Sequence, residues 1–200
     1  MILLLAAVLF AIHLLDRKTS ESKKFQTRQL VFCAGAMALA MVTSFIKFAS
    51  LPFGGSITLF SMFFICLAGY LYGVKAGIMT GVAYGILQLI TGPYIYAPLQ
   101  VLLDYPLAFG ALGLSGLFSN KKHGLITGYA AGVAGRYICH VISGYIFFAS
   151  YAPEGKNPFI YTLSYNATYI VPELVFTVIV LMMPPVMSAI GQIKRQAVNE

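Results

Sequence analysis

With 200 residues, 59% of them hydrophobic and 10% charged, the chain lacks the charged surface of a soluble domain, for which about 25% is usual. That excludes a soluble globular protein and makes lipid the solvent for most of its surface. The net charge of +7 does not signal nucleic-acid binding, because its basic residues lie between apolar runs, where they orient membrane helices.

Residues 1–24 divide into an apolar segment, Met1 to Leu15, and a basic linker. The apolar part is short for a span at about 1.5 Å rise per residue. No basic residue precedes it and no clear small-residue cleavage site follows, so it does not fit a secretory signal. A short extra N-terminal helix, an interfacial segment and a misassigned start stay open.

Residues 25–200 read as a single all-α membrane domain, a six-transmembrane-helix bundle. The helices are expected at about Gln29–Phe48, Ile57–Tyr72, Ala76–Ile90, Leu99–Phe118, Leu125–Ser150 and Phe159–Ile193. Turn-formers separate them: Leu51 to Gly55, Thr91-Gly92-Pro93, Ser119 to Lys122, and Ala152 to Pro158. Gly73, Val74 and Lys75 alone join the second helix to the third. Pro172, Pro184 and Pro185 should kink or end the overlong last segment. Placing Lys23, Lys24 and Arg28 in the cytoplasm puts Lys75, Lys121, Lys122, Lys194 and Arg195 there as well, leaving Lys47 and Lys156 outside. The core N- and C-termini are thus expected in the cytoplasm.

Small residues recur at four-residue spacing, as in Ala34 with Ala38, Gly69 with Gly73, Gly77 with Gly81 and Gly85, and Gly128 with Gly132. In lipid they let helix backbones approach closely. Packing inside the bundle is the default reading, and docking onto another membrane subunit the alternative. Cys33, Cys66 and Cys139 lie within apolar runs, without the spacing of a zinc site or a disulfide framework. They read as packing residues, and no metal or cofactor is expected.

Ionisable groups at membrane depth are costly and point to function. Here they are Asp104, Arg136, His140 and Glu173. Counting from the outer helix ends at 1.5 Å per residue puts Asp104 roughly 7–8 Å deep, His140 ~12 Å and Asn166 ~10 Å. A carboxylate, an imidazole and an amide should converge there. Tyr94, Tyr96 and Tyr105 flank Asp104, Phe148 closes the fifth helix, and Tyr161, Tyr165 and Tyr169 share one face of the sixth. A carboxylate among aromatic faces suits a small flat organic cation. Arg136 and Glu173 are expected nearer mid-membrane as a structural ion pair.

Four stretches, Gln100 to Tyr105, Arg136 to Gly144, Phe147 to Pro153 and Tyr161 to Tyr169, resemble the thiamine-specific S components of energy-coupling factor (ECF) transporters. The resemblance runs from about Gln29 to the sixth helix. It implies a six-helix protein of the bacterial cell membrane that binds thiamine near the outer surface. It also implies partners, a membrane T component and two cytoplasmic ATPases. By the same resemblance the pocket uses Asp104, His140, Tyr161 and Asn166, Tyr105 matches a family tyrosine, and Ala34 and Ala38 match the motif that touches the T component. The chain has no tryptophan; Gly55 and Phe148 stand where family members can present one.

Other readings compete. Gly113-Leu114-Ser115-Gly116 reproduces the GxSG of rhomboid proteases, but the expected vertical gap to His140, roughly 12 Å, exceeds hydrogen-bond reach. A stand-alone ion-coupled transporter would show inverted repeats, and none is evident. The chain is therefore expected to be no enzyme. Gly155-Lys156-Asn157 is no P-loop, so energy must come from a partner or an ion gradient.

Overall fold

The computed structural model describes residues 26–198. The expected N-terminal segment at 1–24, with Lys23 and Lys24, lies outside them. Among the described residues six helices form the bundle: α1 (Thr27–Ser44), α2 (Ser61–Tyr72), α3 (Val74–Gln88), α4 (Pro98–Phe118), α5 (Gly124–Phe147) and α6 (Pro158–Leu181). A seventh, α7 (Pro184–Val198), follows. By length and composition α1, α4 and α6 are each able to cross a membrane.

The boundaries follow local chemistry. Gly73, at φ 87°, is the whole α2–α3 connection, and its N–H closes α2 on the Gly69 carbonyl at 2.8 Å. Asn157 caps α6, its side-chain oxygen accepting from Phe159 N–H at 2.8 Å, with Pro158 in the first turn. The sixth segment does not run to Ile193. It ends at Leu181, and Pro184 opens α7 as a separate helix, because proline offers no N–H to continue the ladder. Pro172, by contrast, stays within α6.

The first loop also departs from an all-helical expectation. Residues β1 (Lys47–Ser50) and β2 (Ser56–Thr58) pair antiparallel, Lys47 opposite Thr58 and Ser50 opposite Ser56. The tip is the expected turn, Leu51 to Gly55, closed by Leu51 N–H to the Gly55 carbonyl at 2.7 Å.

Tyr84, Tyr129, Ile65, Leu112 and Leu125 lie in the buried core. Leu30, Val31, Leu39 and Val42 on α1, and Val175, Phe176 and Ile179 on α6, are exposed, as helices facing lipid require. The glycine stripe of α3 packs inward. A Cβ at Gly81 would sit 2.2 Å from the Phe109 carbonyl oxygen, and one at Gly85 2.6 Å from that of Tyr105. Here the packing reading of the small residues holds. Ala34 and Ala38 differ: both are exposed on α1, while Cys33, Ala36 and Ala40 face the core.

The bundle has two unlike ends. Lys194 donates to the Ser119 carbonyl at 2.9 Å and stands over the Tyr70 ring at 4.3 Å, while Tyr72 donates to the Ala197 carbonyl at 3.3 Å. These bonds gather α7, the α2–α3 junction and the α4–α5 turn, with Lys75, Lys121 and Lys122, at one end. The hairpin, with Lys47, belongs to the other.

Candidate functional site

Asp104 sits on an irregular stretch of α4. The helix opens as α-helix over Pro98–Leu102, widens to a π-turn over Leu103–Leu107 and tightens to 3-10 over Leu112–Phe118. Pro106 lies inside the π-turn, and the close approach of Gly85 to the Tyr105 carbonyl holds this stretch against α3. Such π-turns are frequent at functional sites because they re-aim side chains.

The carboxylate meets α5. His140 Nδ1 lies 3.0 Å from Asp104 Oδ1, and Gln100 Nε2 donates to Oδ2 at 2.6 Å. Arg136 Nε donates to His140 Nε2 at 3.2 Å. Since a guanidinium can only donate, Nε2 accepts, and the ring proton sits on Nδ1, donating to Asp104. The guanidinium also lies over the Phe109 ring, 4.2 Å from its centroid. Each Asp104 oxygen keeps acceptor capacity for a further donor.

Asn166 on α6 completes the cluster. Its Nδ2 donates to the Thr162 carbonyl at 2.9 Å and reaches that of His140 at 3.4 Å, and its Oδ1 accepts from the Tyr169 hydroxyl at 2.6 Å. The Tyr169 ring meets His140 edge-on with centroids 6.1 Å apart. The expected convergence of carboxylate, imidazole and amide is present.

These groups open onto a cavity of about 410 Å³, a size that suits a small organic ligand. Tyr94, Asp104, Tyr105, His140, Phe148, Tyr161 and Asn166 all line it. Tyr96 does not. It is 54% exposed and packs against the Phe148 ring at 5.3 Å, so it supports the wall from behind. Tyr105 reaches the cavity with its hydroxyl accepting from Tyr94 N–H at 2.9 Å. The hairpin contributes Lys47, Gly55 and Thr58.

Gln100, Ser143 and Gln88 are walls that the sequence reading missed. Gln100, 2% exposed, bonds Asp104, Tyr96 N–H and the Tyr94 carbonyl together; its i, i+4 spacing to Asp104 was the available signal. Ser143 Oγ is buried, lines the cavity and has no bonding partner, which leaves it able to bond a ligand. Gln88 Nε2 donates to the Tyr84 hydroxyl at the cavity's far side.

The expected Arg136–Glu173 ion pair is replaced by other contacts. Glu173, 4% exposed, accepts from Thr58 Oγ1 at 2.8 Å, Met62 N–H at 3.2 Å and Ser61 Oγ at 3.3 Å. Arg136 turns toward His140 and Phe109 instead. The rhomboid-like serine is likewise engaged elsewhere: Ser115 donates to the Cys66 carbonyl at 2.7 Å.

A helical bundle with lipid-facing apolar side chains and a polar, aromatic-lined cavity defines a membrane protein that handles a small solute. The family model described as thiamine transporter protein matches residues 30–191, and the chain belongs to that family. It is 40% identical over 177 residues to the thiamine transporter ThiT of Bacillus subtilis, covering 78% of this chain and 91% of the relative. Over 119 residues it is 34% identical to ThiT of Lacticaseibacillus paracasei, covering 53% of this chain and 59% of the relative. The solved structure of ThiT from Listeria monocytogenes superposes with a TM-score of 0.63 at 27% identity, covering 78% of this chain and 94% of that one. The family is one of transporters and not of enzymes, so the protease reading ends here.

Proposed function

We propose that this chain captures thiamine in the cavity walled by Asp104, His140 and Asn166 and delivers it for ATP-driven import as the S component of an ECF transporter. The meeting of Asp104 and His140 at 3.0 Å, at the edge of an aromatic cavity, carries the reading. Thiamine is a flat aromatic cation whose pyrimidine needs hydrogen bonds, and the site offers partners for both parts. Asp104 supplies an acceptor and the unpaired Ser143 hydroxyl a donor, while Tyr94, Phe148 and Tyr161 supply faces.

In this reading the protein is a multi-pass component of the bacterial cell membrane, with both ends of the 25–200 domain cytoplasmic and the cavity opening outward. The collection of Lys75, Lys121, Lys122 and Lys194 at the end away from the hairpin supports that orientation. Exposed Ala34 and Ala38 on α1 are the docking surface for the T component, to which two cytoplasmic ATPases supply energy.

Calorimetric titration with thiamine, its phosphates and riboflavin tests the ligand. Saturable one-to-one binding of thiamine, with riboflavin silent, is expected; riboflavin binding or thiamine silence overturns the assignment. Uptake by purified protein in liposomes without ATPases would replace the S-component role with that of a stand-alone carrier.

A further inference from the structure

Glu173 stands outside the cavity lining, yet it is the most deeply buried carboxylate among the described residues, at 4% exposure. Its bonding partners all belong to one place, the turn that leads from β2 into α2. Thr58 is the last residue of β2, and Ser61 and Met62 are the first two of α2. The Thr58 and Ser61 hydroxyls lie 2.7 Å from each other, closing a small ring of hydrogen bonds around the carboxylate.

That turn needs outside support. Its corner residue, Phe60, has φ 60° and supplies no side-chain cap to α2, a left-handed conformation that a bulky residue adopts at a cost. The first N–H groups of a helix have no partner of their own. Glu173 supplies one from α6 by accepting from Met62 N–H. One turn further along α6, Phe176 stacks on Phe60 with centroids 5.6 Å apart. Two turns earlier, the Tyr165 hydroxyl donates to the Pro52 carbonyl at the hairpin tip. The fixed hairpin is in turn a wall of the cavity, through Lys47, Ser50, Leu51, Ser56 and Thr58.

We propose that Glu173 is a positioning residue. It caps α2 from α6, anchors the β1–β2 hairpin against the cavity, and so sets how slowly the bound ligand leaves. The ligand half of this inference rests on the thiamine reading above; the anchoring half does not. Glu173→Gln keeps the shape but replaces one acceptor oxygen by a donor, and Thr58→Val removes the hairpin's own bond.

Hydrogen–deuterium exchange of the full-length variants in detergent, without ligand, is compared between residues 47–58 and the α5 amides. Exchange in the hairpin is expected to rise by about tenfold, the scale of one lost hydrogen bond, with α5 unchanged. Release of labelled thiamine from Glu173→Gln is expected to quicken by a similar factor while its association rate stays within about threefold, since wall contacts act mainly on dissociation. Wild-type hairpin exchange in both variants, or an equal rise in α5, overturns the anchoring. Wild-type release from a loosened hairpin overturns the retention role. Absence of thiamine binding in the unmodified protein would contradict the ligand reading, while the exchange result would still decide the anchor.

Discussion

Phe148 shows what single side chains contribute to this site. Its ring lies between Tyr94, at 5.9 Å, and Tyr151, at 5.9 Å and nearly parallel, with Tyr96 behind it. It lines the cavity. Phe148→Ala or Tyr161→Ala should weaken thiamine binding by about fivefold to tenfold, the scale of one lost aromatic contact. Phe148→Trp should strengthen it, indole being the better partner for a cation. Calorimetry checks all three changes, and indifference to both alanine substitutions would remove the aromatic wall from the account. Asp104, His140, Phe148, Tyr161 and Asn166 were legible from the sequence because polar and aromatic groups are conspicuous at membrane depth. Tyr96 packs on Phe148 outside the lining, a placement that sequence proximity to Asp104 does not reveal. Arg136 and Glu173 were expected to pair from depth alone, yet hydroxyl and N–H donors on the hairpin turn satisfy the carboxylate first.

At the scale of elements, α3 and α4 carry the site through their contact. The glycine stripe of α3 was legible as a four-residue repeat; what it contacts was not. Gly81 and Gly85 press on the carbonyls of Phe109 and Tyr105, so the π-turn bearing Asp104 is held by backbone contact. Gly81→Ala should destabilise the bundle by about 1–3 kcal/mol through overpacking, read as a lower thermal midpoint in detergent. A midpoint equal to that of the unmodified protein would mean that α3 and α4 do not meet this closely. Most helices and turns followed from apolar runs and Gly/Pro punctuation, whereas the hairpin did not. Strands of four and three residues leave too few positions for an alternating pattern to register. The break between α6 and α7 was foreshadowed by Pro184 and Pro185, but the apolar run continues across it, and hydropathy alone reads one helix.

For the whole molecule, the proposed role assigns capture and docking to separate surfaces. The cavity lies on the hairpin side, whereas Ala34 and Ala38 lie on the outer face of α1, among Leu30, Leu39 and Val42. Ala34→Phe and Ala38→Phe should therefore abolish thiamine uptake by cells while leaving the dissociation constant of the purified protein within about twofold, since distant sites act independently. Parallel loss of uptake and binding would mean misfolding, and undisturbed uptake would move the docking surface elsewhere. The claim on which the rest depends is that a carboxylate inside the bundle receives the vitamin. Titration of Asp104→Asn with thiamine, beside the unmodified protein, tests it most directly. A loss of affinity of about tenfold or more, equivalent to 1.4 kcal/mol, is the expected result; equal affinity in the two proteins would contradict the site.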